Sequence, residues 1–466
     1  MLLTFVVAYL CVSIFIGLYA ARRVRTSSDY IVAGRSLPIY VTIATVFATW
    51  FGSETVLGIP ATFLDGGMGS IIADPFGASL CLILVGLVFA RPLYRMKLLT
   101  IGDFYRKKFG RGVEMVVSFC IAASYLGWVA AQVIALGLVL DLLSGNSLGM
   151  PIAMTIGTGI VLLYTLFGGM WSVAMTDFMQ MVVIMIGLAI IAFFIGSKAG
   201  GPMAVIDHAA AADKFTFLPE RNWTAWFAFI SAWLTMGFGS IPQQDVFQRV
   251  MSAKDENAAV QGTVIGGVLY MLFAFIPVFL AYSALLIDPN EVNILMTQDS
   301  QRILPALIMD HTPVAVQILF FGALLSAIMS TASGALLAPA TVFAENVVRP
   351  LLPKLDDRHM LRLTRGCVLV FSFIVLYLAQ NSEIGIFEMV ENASKVTLAG
   401  AFVPLFAGIY WKRANKTGAV LSILFGISVW LGCEYTIPED TALMPAQMAG
   451  FIAAIIGMLI GGYWRK

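Results

Sequence analysis

The sequence predicts an all-α, polytopic membrane protein of about thirteen transmembrane helices. Three observations carry this reading. The 466 residues are 59% hydrophobic and only 12% charged, where a soluble domain carries about 25% charged residues. Mean hydropathy is +0.89. The charges gather between apolar runs of roughly 20 residues, the length that crosses about 30 Å of hydrocarbon as a helix. A large soluble helical enzyme would need polar faces on its helices, and most of these runs have none.

The spans are expected at 1–20, 38–62, 72–94, 113–142, 149–167, 174–197, 223–242, 259–287, 314–346, 360–380, 394–411, 416–433 and 444–463. The first has no basic stretch before it and no small-residue cleavage site after it, so it reads as a span and not as a removable leader. Basic residues test the count, because they collect on the cytoplasmic side. One side receives Arg22, Arg23, Arg25 and Arg35 after span one, and Arg91, Arg95, Lys97, Arg106, Lys107, Lys108 and Arg111 after span three. It also receives Arg249 and Lys254 after span seven, and Arg349, Lys354, Arg358, Arg362 and Arg365 after span nine. Lys412, Arg413 and Lys416 follow span eleven, and Arg465 and Lys466 close the chain. The other side has Lys198, Lys214, Arg221, Arg302 and Lys395. This places the N-terminus outside and the C-terminus in the cytoplasm, across a plasma (inner) membrane; an even count would break the alternation. The outer loops after spans six and eight leave room for short surface helices.

Composition also excludes. Cys11, Cys81, Cys120, Cys367 and Cys433 fall in or at the ends of apolar runs, so no disulfide framework is expected. His208, His311 and His359 lie far apart in loops, without zinc-ligand spacing. No phosphate loop or dinucleotide fingerprint occurs, which argues against an ATP-driven pump, and no nucleophile–base constellation supports an enzyme. The expected partners are a small-molecule solute, sodium and the lipid bilayer, with no nucleic acid and no obligate protein partner.

Two spans are interrupted. Span two contains FATWFGSETVLGIP (residues 47–60), and span seven contains WLTMGFGSIPQQDV (residues 233–246). Both hold Phe-Gly-Ser, at Phe51-Gly52-Ser53 and Phe238-Gly239-Ser240. Five spans separate them, and an odd unit inverts the second copy relative to the first. The pattern fits one transporter domain over 1–466: an extra span and inner loop (1–37), a first repeat (38–197), a second repeat (223–411) and C-terminal spans (416–466). Matched Gly/Pro-interrupted spans point to a binding site at mid-membrane, because an unwound helix in lipid needs partners for its freed backbone groups. Gly52 and Gly239 are expected at the breaks for their φ/ψ freedom. Close helix packing is the other use of such glycines.

Glu54 costs roughly 2.5–3.5 kcal/mol at this depth. It either meets the solute or a cation, or caps a broken half-helix; the pattern leaves both open. In span nine, Ala327, Ser330 and Thr331 are spaced i, i+3, i+4 and share a face. Two hydroxyls and a carbonyl there suit a hard cation, although membrane hydroxyls also bond back to their own helix. Asp177 begins span six, as a helix cap or as a cation ligand.

At these residues the chain resembles the sodium:solute symporter family. The resemblance runs over nearly the whole chain, through SSDYIVAGRSLP, FGGMWSVAMTDFMQ, QQDVFQRVMSAK, SAIMSTASGALL and VPLFAGIYWKRANKTGAV. It implies the LeuT-type five-plus-five inverted repeat with extra flanking spans. It implies a sodium site from the carbonyls of Ala48, Phe51 and Ala327 and the hydroxyls of Ser330 and Thr331. A second sodium site would use Asp177, Ser330 and Ser333, with one further hydroxyl position falling on Gly334. Within the family the look is nearest to choline-type transporters. Their aromatic cage holds a quaternary ammonium by cation–π attraction, about 2 kcal/mol per desolvated contact. Trp50 and Trp128 match two cage positions; the third falls on Gln243, and Glu54 is outside the pattern. The candidate solute contacts are therefore Thr49, Trp50, Ser53, Glu54, Trp128, Phe238 and Gln243. No Arg or Lys is expected inside spans two, four or seven.

The expected function is sodium-coupled import of a small amine or zwitterion, choline-like or an amino acid. A proline-type amino-acid or monocarboxylate symporter is the same-class alternative. A transporter-fold nutrient sensor is the alternative of another class, and a long cytoplasmic domain would mark it.

Overall fold

A computed structural model describes residues 2–352, 355–382, 384–438 and 441–464. Lys354, Arg465 and Lys466, counted above among the inner charges, lie outside the described residues. Among the described residues the backbone is helical almost throughout, with a lone bridge joining Leu37 to Ala253.

Among the described residues, ten helices are long and apolar enough to cross a membrane unbroken, and two bent pairs raise the number to twelve. The thirteenth is hidden in Met150–Lys198, a continuous 49-residue element. At 1.5 Å per residue it would be about 74 Å long, more than twice a hydrocarbon core. Gly169 divides it, with φ 49° and ψ −139°. A Cβ at Gly169 would lie 2.4 Å from the Tyr30 carbonyl oxygen, so glycine is required for both conformation and space. The Tyr30 hydroxyl then donates to the Thr165 carbonyl (3.1 Å), one of those freed by the turn. Spans five and six thus meet at an elbow, without a loop.

The broken spans are as expected in place and different in detail. Span two is Ile39–Trp50 followed by Glu54–Gly66, bent by 54°. Span seven is Trp223–Gly239 followed by Gln244–Ser252, bent by 48°. The second half of span seven extends well past the expected end at Pro242. Arg249, read from sequence as an inner-loop charge, is therefore inside the bundle and 1% exposed. The expectation that span seven holds no Arg or Lys is corrected accordingly. The segment is polar, and its longest side chains find backbone partners: Gln248 donates to the Ile31 carbonyl (3.0 Å) and Arg249 Nε to the Thr45 carbonyl (2.8 Å). Span eleven begins at Ile386, earlier than the expected 394, because its first turns are polar and lack the apolar signature.

Span nine, Val314–Val342 in its α-helical part, is almost wholly buried. It packs against span four and against the element that holds spans five and six, while span two packs against span eight. Lipid-facing positions such as Phe15 (70% exposed) and Phe193 (78%) form the apolar outer surface, as a bilayer requires. Short helices occupy the loops after spans six and eight, at Pro202–Ala211, Pro289–Gln298 and Ile303–His311. There Asp288 pairs with His311 (3.3 Å) and caps Glu291 (3.1 Å), so that cluster serves as a helix cap.

Candidate functional site

The break in span two rearranges backbone hydrogen bonding. Phe51 leaves helical geometry (φ −78°, ψ 74°). The Gly52 N–H turns back to the Trp50 carbonyl (2.8 Å) in place of the Ala48 carbonyl, its partner in an unbroken helix. Ala48 is thereby released, and span nine supplies its new partners. Ser330 Oγ lies 3.4 Å and Thr331 Oγ1 3.1 Å from the Ala48 oxygen. The i, i+3, i+4 face predicted in span nine thus meets the predicted break. Ala48, Phe51, Ala327, Ser330 and Thr331 are all buried, and the contacts bring together the Ala48 carbonyl and the two hydroxyls.

Gly52 is helix-breaking for want of space, not for φ. It is absent from the positive-φ residues, but a Cβ there would lie 2.6 Å from Thr331 Oγ1 and 2.9 Å from Glu54 Oε2. The oxygen cluster and the carboxylate stand on two sides of one missing side chain. Gly239 is also tight: its Cβ would lie 2.4 Å from the Ser394 carbonyl of span eleven.

Glu54 is fully buried in the first turn of the second half-helix, the end where the helix dipole favours an anion. Gln132 of span four holds it. Gln132 Nε2 donates to Glu54 Oε2 (2.7 Å), and Gln132 Oε1 accepts from the Ser53 N–H (3.0 Å). One amide thus closes the break and orients the acid. Trp50 and Trp128 cross edge to face beside it, with centroids 5.3 Å apart. Tyr125 stacks on Trp128 at 5.8 Å and donates its hydroxyl to Asp245. The structure therefore joins Trp50, Trp128, Ser53 and Glu54 into one locus.

Other candidates are placed differently. The Thr49 hydroxyl bonds back to Thr45 (2.9 Å). Gln243 is buried at the start of the second half of span seven, its side-chain amide unpartnered among the described residues. Phe238 stacks on Phe402 (4.8 Å) and lines a separate apolar groove of about 620 Å³. It faces that groove and not the tryptophan pair.

Asp177 is no helix cap, since it lies inside the helix that continues from Met150 to Lys198. It accepts a hydrogen bond from Ser330 Oγ (2.6 Å) and faces Arg249, with Nη2 3.6 Å from Oδ2. The Ser333 hydroxyl donates to the Ser330 carbonyl of its own helix (2.9 Å). The positions read as a second ion site thus hold a carboxylate already facing a guanidinium.

Sequence reading missed Gln132, Tyr125 and Arg249. Gln132 and Tyr125 lie four residues after and three before Trp128, one helix face, so that signal was present. Arg249 carried none, because its burial depends on where span seven ends.

Two broken helices meeting inside a closed bundle, with an oxygen cluster beside an aromatic pair, define a secondary active transporter of the LeuT type. The chain belongs to the sodium:solute symporter family, whose description matches residues 30–426. It is thus a sodium-coupled symporter of a small organic solute, and not an enzyme. It is 26% identical to the high-affinity choline transporter 1 of Drosophila melanogaster, over 99% of this chain and 78% of that protein. It is 28% identical to the human high affinity choline transporter 1, over 91% of this chain and 75% of that one. It is 25% identical to the osmoregulated proline transporter OpuE of Bacillus subtilis, over 97% and 93%. Among solved structures it resembles a substrate-bound, outward-open sodium-coupled sialic acid symporter, with TM-score 0.85, 21% identity and coverage of 99% and 97%. That likeness extends to the fold.

Proposed function

We propose that this symporter imports a small solute carrying a positively charged nitrogen, driven by one sodium ion bound at Ala48, Phe51, Ala327, Ser330 and Thr331. The observation that supports the solute class is the buried Trp50–Trp128 pair with Glu54 beside it. Aromatic faces and a carboxylate attract a cation together, most strongly where water is excluded, and repel a simple carboxylate. The likeness to choline transporters points the same way. The ion site is supported by the release of the Ala48 carbonyl, which accepts from the Thr331 hydroxyl (3.1 Å) and has the Ser330 oxygen 3.4 Å away.

The two sites touch through Gly52. Sodium drawing Thr331 and the Ala48 carbonyl together would fix the turn at Phe51–Ser53, and with it the start of the half-helix carrying Glu54. Each ligand then prepares the site of the other, which is reciprocal coupling. The charge distribution supports an outer N-terminus, a cytoplasmic C-terminus and a plasma-membrane location. The test is a thermal-shift screen of purified protein against amines, amino acids, sugars and carboxylates, in sodium and in potassium. A ligand at 100 times its Kd stabilises by about 2.7 kcal/mol. Amine hits confined to sodium are expected. Hits confined to sugars or monocarboxylates would refute the solute class.

A further inference from the structure

Glu54 has a second acid for a neighbour. Asp74 of span three is 2% exposed, and it lines one narrow cleft together with Glu54, Met236, Phe387, Val390 and a third acid, Glu391 of span eleven, which has contacts of its own. It is tied to the broken helix by a short chain of hydroxyls. Tyr270 donates to Asp74 Oδ1 and lies 3.1 Å from Thr55 Oγ1, which donates to the Trp50 carbonyl (2.8 Å). Those bonds occupy one oxygen of Asp74, and Gln132 occupies one oxygen of Glu54. Among the described residues, Glu54 Oε1 and Asp74 Oδ2 have no hydrogen-bond partner.

Ionised carboxylate oxygens only accept hydrogen bonds. A buried one left unpaired is costly, and a charged N–H donor is the partner that relieves it most. Cation–π attraction by Trp50 and Trp128 does not ask what the nitrogen is bonded to. The two free oxygens do: a protonated primary amine brings three N–H donors, a secondary amine two, and a quaternary ammonium none. We propose that Glu54 and Asp74 form a clamp for N–H donors, so that the solute is a protonated primary or secondary amine and quaternary ammonium compounds are poor ligands. Asp74 is then a specificity-determining residue that the aromatic pair cannot replace. The proposal rests on the amine reading above and narrows it. The cleft is closed in this structure, so Met236 and Phe387 must part to admit the ligand.

The experiment is a binding series on the purified full-length protein in sodium: ethanolamine, N-methylethanolamine, N,N-dimethylethanolamine and choline, read by calorimetry or tryptophan fluorescence. Affinity is expected to fall as methyl groups replace N–H donors, with choline about tenfold or more weaker than ethanolamine, since a charged hydrogen bond is worth that much. Asp74→Asn should weaken ethanolamine by about tenfold and choline by much less. Choline binding as tightly as ethanolamine, or an equal loss for all four ligands in Asp74→Asn, would overturn the clamp. Should Asp74→Asn fail to fold, the wild-type series decides alone. If none of the four binds, the amine reading itself falls, and the clamp with it.

Discussion

Arg249 occupies the space that a side chain on Gly334 would need. A Cβ at Gly334 would lie 2.3 Å from Arg249 Nη2, and that same nitrogen faces Asp177 at 3.6 Å. A tethered guanidinium thus supplies the counter-charge beside Asp177, where the family resemblance suggested a second sodium. Sodium dependence of uptake is accordingly expected to be non-cooperative, with a Hill coefficient close to unity. A clearly sigmoidal sodium dependence would count against this.

Removing only one member of the pair should be worse than removing both. Arg249→Gln leaves a buried carboxylate without its charge partner, which costs on the order of 3–5 kcal/mol. The double variant Arg249→Gln/Asp177→Asn should recover a large part of that in thermal unfolding. Strictly additive losses would show that the two side chains are not energetically coupled.

Ser330→Ala and Thr331→Ala should each raise the sodium concentration for half-maximal uptake. Loss of one oxygen ligand costs on the order of 1–3 kcal/mol. Unchanged half-saturation in both variants would remove these residues from the ion site.

Gly52→Val should insert in the membrane and fail to transport. Its side chain would collide with Thr331 Oγ1 and Glu54 Oε2 at once, and overpacking of this kind costs typically about 1–3 kcal/mol. Normal sodium-driven uptake by Gly52→Val would show that the contact across Gly52 is not needed.

Trp50→Phe should weaken solute affinity moderately and Trp50→Leu severely, with sodium binding little changed, because only the second change removes the π face. Equal loss of thermal stability in both, without a selective loss of affinity, would make Trp50 a packing residue.

Much of this architecture is written in local pattern. Apolar length marked the spans, and paired Phe-Gly-Ser marked the two breaks. Helical spacing placed Ser330 and Thr331 on the face that meets Ala48. What escaped is what depends on three-dimensional neighbours. Arg249 looks like an inner-side charge until Thr45, Asp177 and Gly334 are seen around it. Asp74 follows a turn in an apolar span, and its importance appears only when span eight brings Tyr270 to it. Phe238 repeats the Phe51 motif, yet its half-helix packs on span eleven, so its ring turns to Phe402. The thirteenth span was legible because an even count would break the alternation of basic loops, whereas helix length alone would merge spans five and six.

The unwound turn at Phe51 has a practical bearing on how this carrier can be studied. Three of the five proposed ion ligands are peptide oxygens, at Ala48, Phe51 and Ala327, and every amino acid supplies that atom. Replacing Ala48 or Ala327 by a bulkier residue would distort the packing and leave the ligand in place. A side-chain scan would therefore assign the ion site to Ser330 and Thr331 and overlook more than half of it. Amide-to-ester substitution, which weakens the carbonyl as a donor to the ion at a chosen peptide, addresses the atoms themselves. At these three fully buried positions the side chain is therefore constrained by packing and not by the ion.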